Sequence, residues 1–196
     1  MSPEISSPPT AMSRAVPFHR AHTNKVLQYE LNVVGPSVPD VVAGIGGWLF
    51  DRRMAGWNVH IALVDGSDDH ALHILGLKNV GMERFWEDAE SDPECVAMTV
   101  VAADLLDSDR TDRLDARVRE LAHVPGGLAF WGASTPGLLG LAPQQVLYRP
   151  SAAARAFKKH ALVSLAIPGD SAEAPETVFR GGSATGVLDM GLVGVC

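Results

Sequence analysis

The chain has 196 residues, of which 46% are hydrophobic, and its mean hydropathy is +0.09. This length and composition predict a single folded domain with a full core. The formal net charge of −7 opposes binding to nucleic acid or to an anionic membrane, because both require a basic surface.

The two cysteines give no disulfide framework and no metal-ligand spacing, since Cys95 lies in an apolar run and Cys196 at the end of the chain. We therefore expect a reducing, cytoplasmic location. Residues 1–24 lack the apolar core of a signal peptide and are rich in Ser and Pro, which predicts a disordered N-terminal tail.

Residues 26–65 have the pattern of a strand, a helix and a second strand. The apolar run at 26–34 is followed by a helical pattern at 38–55, and a second apolar run occupies 57–65. An arrangement of this kind requires a crossover connection between parallel strands. Both runs are apolar on nearly both faces, as in a sheet that is covered by helices on its two sides.

The later chain continues this alternation to about residue 167. Helices are predicted at 68–76, 82–89, 110–121 and 151–167, and strands at 77–80, 96–106, 128–133 and 145–149. We therefore predict one α/β domain at 25–167 with a three-layer, mainly parallel sheet and helices on both faces, in a Rossmann-like or flavodoxin-like arrangement. Residues 168–196 are predicted to be a Gly/Pro/Ser-rich linker with an apolar C-terminal end.

In such sheets ligands bind beyond the carboxyl ends of the strands, which makes the turn at Gly35 and Ser37 a candidate anion site. Ser37 and Asp40 also have the spacing of a capping box, in which the turn would satisfy its own donors and repel an anion. Capping is the interpretation that we favour for this turn.

The glycines at 44, 46 and 47 resemble part of a dinucleotide-binding fingerprint, in which Asp65 would have the later acidic role. Leu49 occupies the place of the third glycine, and the segment is too short for a turn, a full helix and a return loop. Close packing of the helix against the sheet or another chain is therefore the better explanation.

An acidic and histidine-rich cluster follows the second predicted strand. Asp69 and His73 are four residues apart, and His70 and His73 are three apart, so they can share a helix face. Together with Asp65 from the strand end, these side chains are candidate ligands for Zn or Mn. Ordinary capping of a helix start by Asp, with both histidines facing solvent, is the interpretation that we favour for this cluster.

Ser134 follows a predicted strand, as a hydrolase nucleophile does. The nucleophile elbow requires Gly two residues later, but Pro136 stands there, so an ordinary turn is the favoured interpretation. The loop at Ser134 can still line a ligand pocket, because apolar residues surround it.

Basic residues gather on the last predicted helix of this acidic chain. Arg155, Lys158 and Lys159 are candidates for docking an acidic protein partner, although a solvated helix face is the more usual explanation for such residues.

Two segments predict association with a second copy or another protein. Residues 121–148 contain no Asp, Glu, Lys or Arg, and residues 187–196 form an apolar end that should dock on its own domain or on a neighbour's sheet edge. The alternative is that 128–133 is a buried strand, covered by its own loops, and that the tail is disordered.

No complete catalytic constellation and no cofactor-binding motif is present in the sequence. We therefore expect a non-catalytic binding or regulatory module that acts through an oligomeric or partner interface. The alternative is an enzyme for a small phosphorylated or carboxylated metabolite, metal-assisted if the acidic and histidine cluster binds a metal, with its site at the carboxyl ends of the strands.

Overall fold

The computed structural model describes residues 28–66, 68–83, 95–106, 112–122, 127–132, 144–180 and 193–194. The strands of this part of the chain are β1 (Gln28–Gly35), β2 (Asn58–Leu63), β3 (Lys78–Asn79), β4 (Cys95–Ala102), β5 (Leu128–Trp131), β6 (Gln144–Tyr148), β7 (Glu176–Arg180) and β8 (Val193–Gly194). Its α-helices are α1 (Val38–Met54), α2 (His70–Ile74), α3 (Asp112–Leu121) and α4 (Ala152–Ser164).

All of these strands belong to one sheet, in the order β3-β2-β1-β4-β5-β7-β6-β8. The first five strands of this order are parallel to one another, and β7 is antiparallel to β5 and to β6. β6 therefore runs in the same direction as the first five strands. The prediction of an α/β domain with a mainly parallel sheet is confirmed.

Helix α1 begins at the predicted residue and ends one residue before the predicted end, because local signals define both of its ends. Ser37 is the N-cap, Pro39 lies in the first turn, and basic side chains occupy the last turn. Gly56, with a φ of +90°, then turns the chain towards β2. The buried side of α1 packs on β1, β2 and β7, and α1 also contacts α2 and α4.

The prediction of a linker is wrong for residues 168–180. A 3-10 helix spans Gly169–Glu173, and β7 follows it and inserts between β5 and β6. The sequence pattern does not predict this strand, because Glu176 interrupts the apolar pattern although its side chain is only 3% exposed. Buried charges depend on partners elsewhere in the chain, which a local pattern does not reveal.

The C-terminal end docks on its own domain, as one of the two expected alternatives. Val193 and Gly194 pair antiparallel with Leu147 and Val146 of β6. The expected edge strand near residue 145 therefore lies between β7 and β8. Strand β5 is buried between β4 and β7, as the alternative for residues 128–133 requires.

Several expectations fall outside the described residues. These are the N-terminal tail at 1–24, most of the helix predicted at 82–89, and Ser134 with its loop. Residues 123–126 and 133–143 are also outside, so association through 121–148 stays a prediction. Among the helices that the structure does describe, none is long and apolar enough to cross a membrane.

Candidate functional site: a basic pocket beside β2 and β3

The turn between β1 and α1 uses its own polar groups. The backbone N–H of Asp40 donates to Ser37 Oγ at 3.5 Å, and the Ser37 hydroxyl also donates to the Asp40 carboxylate. The carbonyls of Gly35 and Pro36 accept from the N–H groups of Val64 and Asp65, at 3.1 and 2.8 Å. Capping by Ser37 and Asp40 is thus confirmed, and the Asp40 charge opposes an anion at this helix start.

The glycines of α1 permit close packing, as predicted. A Cβ on Gly44 would lie 2.6 Å from two ring carbons of Trp131, and one on Gly47 would lie 2.8 Å from two carbons of Pro150. A Cβ on Gly35 would lie 2.5 Å from Val41 Cγ2. Gly44, Gly46 and Gly47 are inside a helix and not in the turn after a strand, which excludes the dinucleotide fingerprint.

The acidic and histidine residues after β2 do two separate things: Asp68 caps the start of α2, and Asp69 forms an exposed pair with His73. The Asp68 carboxylate accepts the backbone N–H of His70 at 3.0 Å, where α2 begins. Asp69 and His73 lie 3.3 Å apart, with 39% and 55% of their side chains exposed. In the described residues no three such side chains are grouped around a common point, so Asp65 and His70 do not complete a metal site with this pair.

Lys158 is not a surface cation, which corrects one of the three expected partner-binding residues. Its Nζ is buried and donates to the carbonyl of Ala43 at 2.8 Å and to Glu176 at 2.5 Å. Arg155 pairs with Glu173 at 3.0 Å, and Lys159 is exposed on α4. An acidic partner could therefore reach only Arg155 and Lys159 of the three.

Glu176 is held from three sides. Besides Lys158, the backbone N–H groups of Gly47 and Trp48 donate to its two carboxylate oxygens, at 2.8 and 2.7 Å. Burial raises the pKa of Glu176, while Lys158 and the two N–H groups act in the opposite direction. This cluster joins α1, α4 and β7, and we interpret it as structural.

A pocket of about 350 Å³ lies at the amino ends of β2 and β3. It is lined by Arg53 at the end of α1, by residues of β2, and by the segment around β3: Asn58, Val59, His60, Gly76, Lys78 and Val80. Gly76 and Gly81 both have positive φ and bracket the short strand β3. These turns place Lys78 beside His60, its register partner on β2.

The two arginines at the end of α1 have separate environments. Arg52 is 6% exposed, and its guanidinium carbon lies 5.6 and 5.4 Å from the ring centroids of Trp48 and Trp57. Burial lowers the pKa of Arg52. Arg53, the next residue, is exposed and lines the pocket.

The pocket is electropositive in an acidic protein. Arg53, His60 and Lys78 line it, and none of the described lining residues is acidic. Within the described part of the chain, these three side chains have no hydrogen bond or ion pair. The positive charges of Arg53 and Lys78 are therefore available to a ligand, and the His60 ring can form hydrogen bonds to it.

Sequence reasoning missed this pocket because it concentrated on the carboxyl ends of the strands. The pocket lies at the opposite ends, and three separate segments contribute to it. One signal was present in β2, where Asn58 and His60 alternate with the buried Val59 and Ile61. Polar residues at alternate positions indicate a strand face that is open to solvent or ligand.

No protein-family model matches the chain, and neither the curated proteins nor the solved structures contain a match. The chemistry of the pocket itself must therefore indicate what it binds.

Proposed function

We propose that this chain is a non-catalytic binding module that takes a small phosphorylated or carboxylated ligand in the basic pocket. The observation that carries the proposal is the set of three unpaired basic side chains, Arg53, His60 and Lys78, around a cavity of about 350 Å³. That volume is within the range of roughly 300–1,000 Å³ that is typical of small-molecule sites. Arg binds phosphate and carboxylate oxygens in pairs, and Lys adds a compact positive charge.

A Rossmann-like arrangement is the finer fold assignment that we propose. The order β3-β2-β1-β4-β5 corresponds to the first five positions of the doubly wound order 3-2-1-4-5-6. In that fold a three-layer arrangement follows, with helices on both faces of the sheet. The antiparallel β7 is then an insertion beside β5.

The usual ligand position of such a fold is less favourable for an anion in this chain. It lies outside the carboxyl ends of the central strands, where chain reversal opens a crevice. Here Asp40 lies in the first turn of α1, and Asp65 follows β2. Two carboxylates at that end repel an anion, whereas the amino-end pocket attracts one.

The lining of the pocket supports binding without catalysis. Among the described residues that line it there is no carboxylate, hydroxyl or thiol side chain, so the lining offers His60 no nucleophile to activate. The remaining polar groups, Asn58 and the two cations, can position a ligand by hydrogen bonds and charge.

Titration with inorganic phosphate and with citrate, at constant ionic strength, tests the proposal. In heteronuclear NMR spectra we expect the amide resonances of His60, Gly76 and Lys78 to shift. A hydrogen bond to a charged group contributes about 1.5–3 kcal/mol, so Arg53→Ala and Lys78→Ala should each weaken binding by about tenfold or more.

Arg149→Ala is the matched control, because Arg149 is exposed and does not line the pocket. It should leave the affinity unchanged. Equal affinities in the pocket variants and the parent protein, or unshifted resonances at the pocket, would contradict the proposal.

A further inference from the structure

We infer that the ligand of the basic pocket is a sugar phosphate, a phosphate monoester on a short polyhydroxylated carbon chain. This inference rests on the proposed function and specifies its ligand class. It is based on polar residues that continue from the pocket across the face of the sheet.

The polar face extends from β3 to β1. Lys78 is the register partner of His60, and His60 is the register partner of Asn32 on the central strand. In the adjacent row, Asn58 is paired with Glu30. Asn32, Glu30 and His60 are each half-buried, and Asn58 and Lys78 are exposed. Central strands of parallel sheets are normally apolar on both faces, so this group of polar residues requires an explanation.

The cations lie at the pocket end of this face, which suits a ligand with an anionic group at one end. The cations Arg53 and Lys78 lie at the pocket, and Glu30 lies two strands away from β3. The Glu30 carboxylate has an interaction of its own within the structure, so the neutral Asn32 amide is the group on β1 that is available to a ligand. A phosphate at the pocket with neutral hydroxyl groups towards Asn32 fits this arrangement.

The amides of Asn32 and Asn58 suit hydroxyl groups. An Asn side chain both donates and accepts hydrogen bonds, and so does a sugar hydroxyl. Adjacent strands are about 4.8 Å apart, so the row from Lys78 to Asn32 spans roughly 10 Å. That span is comparable to the extended length of a small sugar phosphate.

The described lining of the pocket has no surface on which a nucleobase could stack on an aromatic ring. Among the described residues that line it, Val59 and Val80 are the apolar side chains, and none is aromatic. Proteins that bind bases commonly stack them on aromatic rings or on Arg. A nucleoside monophosphate should therefore bind less tightly than a simple sugar phosphate.

Calorimetric titration of the full chain at constant ionic strength provides the test. The probes are glycerol 3-phosphate, ribose 5-phosphate, glucose 6-phosphate, inorganic phosphate, glucose, citrate and adenosine 5′-monophosphate. At least one sugar phosphate should bind tenfold or more tightly than inorganic phosphate, citrate or the adenosine nucleotide, and glucose alone should bind least.

Two variants separate the sugar contacts from the phosphate contacts. Asn32→Ala should remove most of the tenfold advantage and leave the affinity for inorganic phosphate within about twofold. Asn58→Ala is a second variant at an exposed position and should also reduce the advantage of the sugar phosphate, so the test does not depend on Asn32→Ala folding.

The possible failures are distinguishable. If inorganic phosphate binds in a manner that depends on Arg53 and Lys78, but no sugar phosphate exceeds it tenfold, the sugar assignment is overturned and the proposed function stands. Tighter binding of citrate or the nucleotide overturns the sugar assignment in the same way. If no anion binds, both the assignment and the proposed function fail.

Discussion

The Lys158 ammonium and the Glu176 carboxylate form a buried ion pair that enters the backbone hydrogen bonding of α1. Their side chains are only 1% and 2% exposed. Lys158 donates a hydrogen bond to the carbonyl of Ala43, and Glu176 accepts one from the N–H of Gly47. Ala43 and Gly47 are four residues apart, which is the spacing that a backbone hydrogen bond joins in a regular α-helix. The ion pair therefore contacts both the acceptor and the donor of one helical position.

Removing one partner of this ion pair should destabilise the protein strongly. Lys158→Met leaves the Glu176 carboxylate buried without its cation, and losses of this kind cost about 3–5 kcal/mol. Chemical denaturation of the parent protein and the variant measures the change in the free energy of unfolding. In the double variant Lys158→Met, Glu176→Leu, no ionised side chain is left buried without its partner.

We therefore expect the double variant to be more stable than the sum of the two single changes implies. An additive result would show that the two side chains do not act as a pair.

The sequence predicts those parts of the fold that depend on neighbouring residues. Helix α1 is an example, because Ser37, Asp40 and the apolar spacing all lie within the helix or at its start. Strand β7 is a counterexample: Glu176 is buried because Lys158 and the N–H groups of α1 receive it, and the latter are more than 120 residues away. Lys158 was predicted to be a surface cation for the same reason, because the sequence does not show that Glu176 is its buried partner.

The candidate pocket shows the same division between local and distant information. Arg53, His60 and Lys78 come from three elements, and only the register of β2 with β3 brings the last two together. The general rule for parallel sheets directed attention to the opposite edge. Strand order and register, which a single sequence does not specify, determine which polar residues become neighbours.

Tyr148 should make the protein less stable at high pH. Its hydroxyl donates to Asp51 at 2.6 Å, and burial, followed by this hydrogen bond, raises the pKa of Tyr148 above its ordinary value of 10.0. The folded state therefore retains the phenolic proton to a higher pH than the unfolded state does. It follows that the free energy of unfolding falls as the pH rises above about 10.

Denaturant unfolding at a series of alkaline pH values measures this decrease, and Tyr148→Phe should reduce it. The chain has two tyrosines, so absorbance of tyrosinate in a Tyr29→Phe background reports on Tyr148 alone. Ionisation of Tyr148 near pH 10 in the folded protein would contradict the expectation.

The three α1 glycines should respond differently to alanine. At Gly44 the new Cβ would lie 2.6 Å from Trp131 ring carbons, and at Gly47 it would lie 2.8 Å from Pro150 carbons. Each of these changes should cost about 1–3 kcal/mol through overpacking. At Gly46 the nearest atom would be the Cδ1 of Leu75, at 3.3 Å, and this flexible side chain can adjust.

Gly46→Ala is therefore the matched control, since it changes the same helix and gains about 0.5–1 kcal/mol of helix preference. We expect thermal denaturation to show lower melting temperatures for Gly44→Ala and Gly47→Ala and a small change for Gly46→Ala. Equal changes at all three positions would argue against the close contacts as the cause.

The C-terminal strand should limit association of the sheet edge. Val193 and Gly194 cover Leu147 and Val146, and an uncovered strand offers its backbone N–H and C=O groups to another chain. Truncation after Ala184 removes this cover. If the intact chain associates through 121–148, as its sequence predicts, the truncated chain should associate more strongly.

Light scattering across a range of concentrations compares the two proteins. A full-length control, Val193→Pro with Gly194→Pro, removes both backbone donors of β8 and should behave like the truncated chain. Weaker association after truncation would mean that the tail itself joins the copies, by pairing with a neighbour's β6 instead of its own. Monomers in all three proteins would contradict both the predicted association and the protective role of β8, because an open β6 edge would then have no effect.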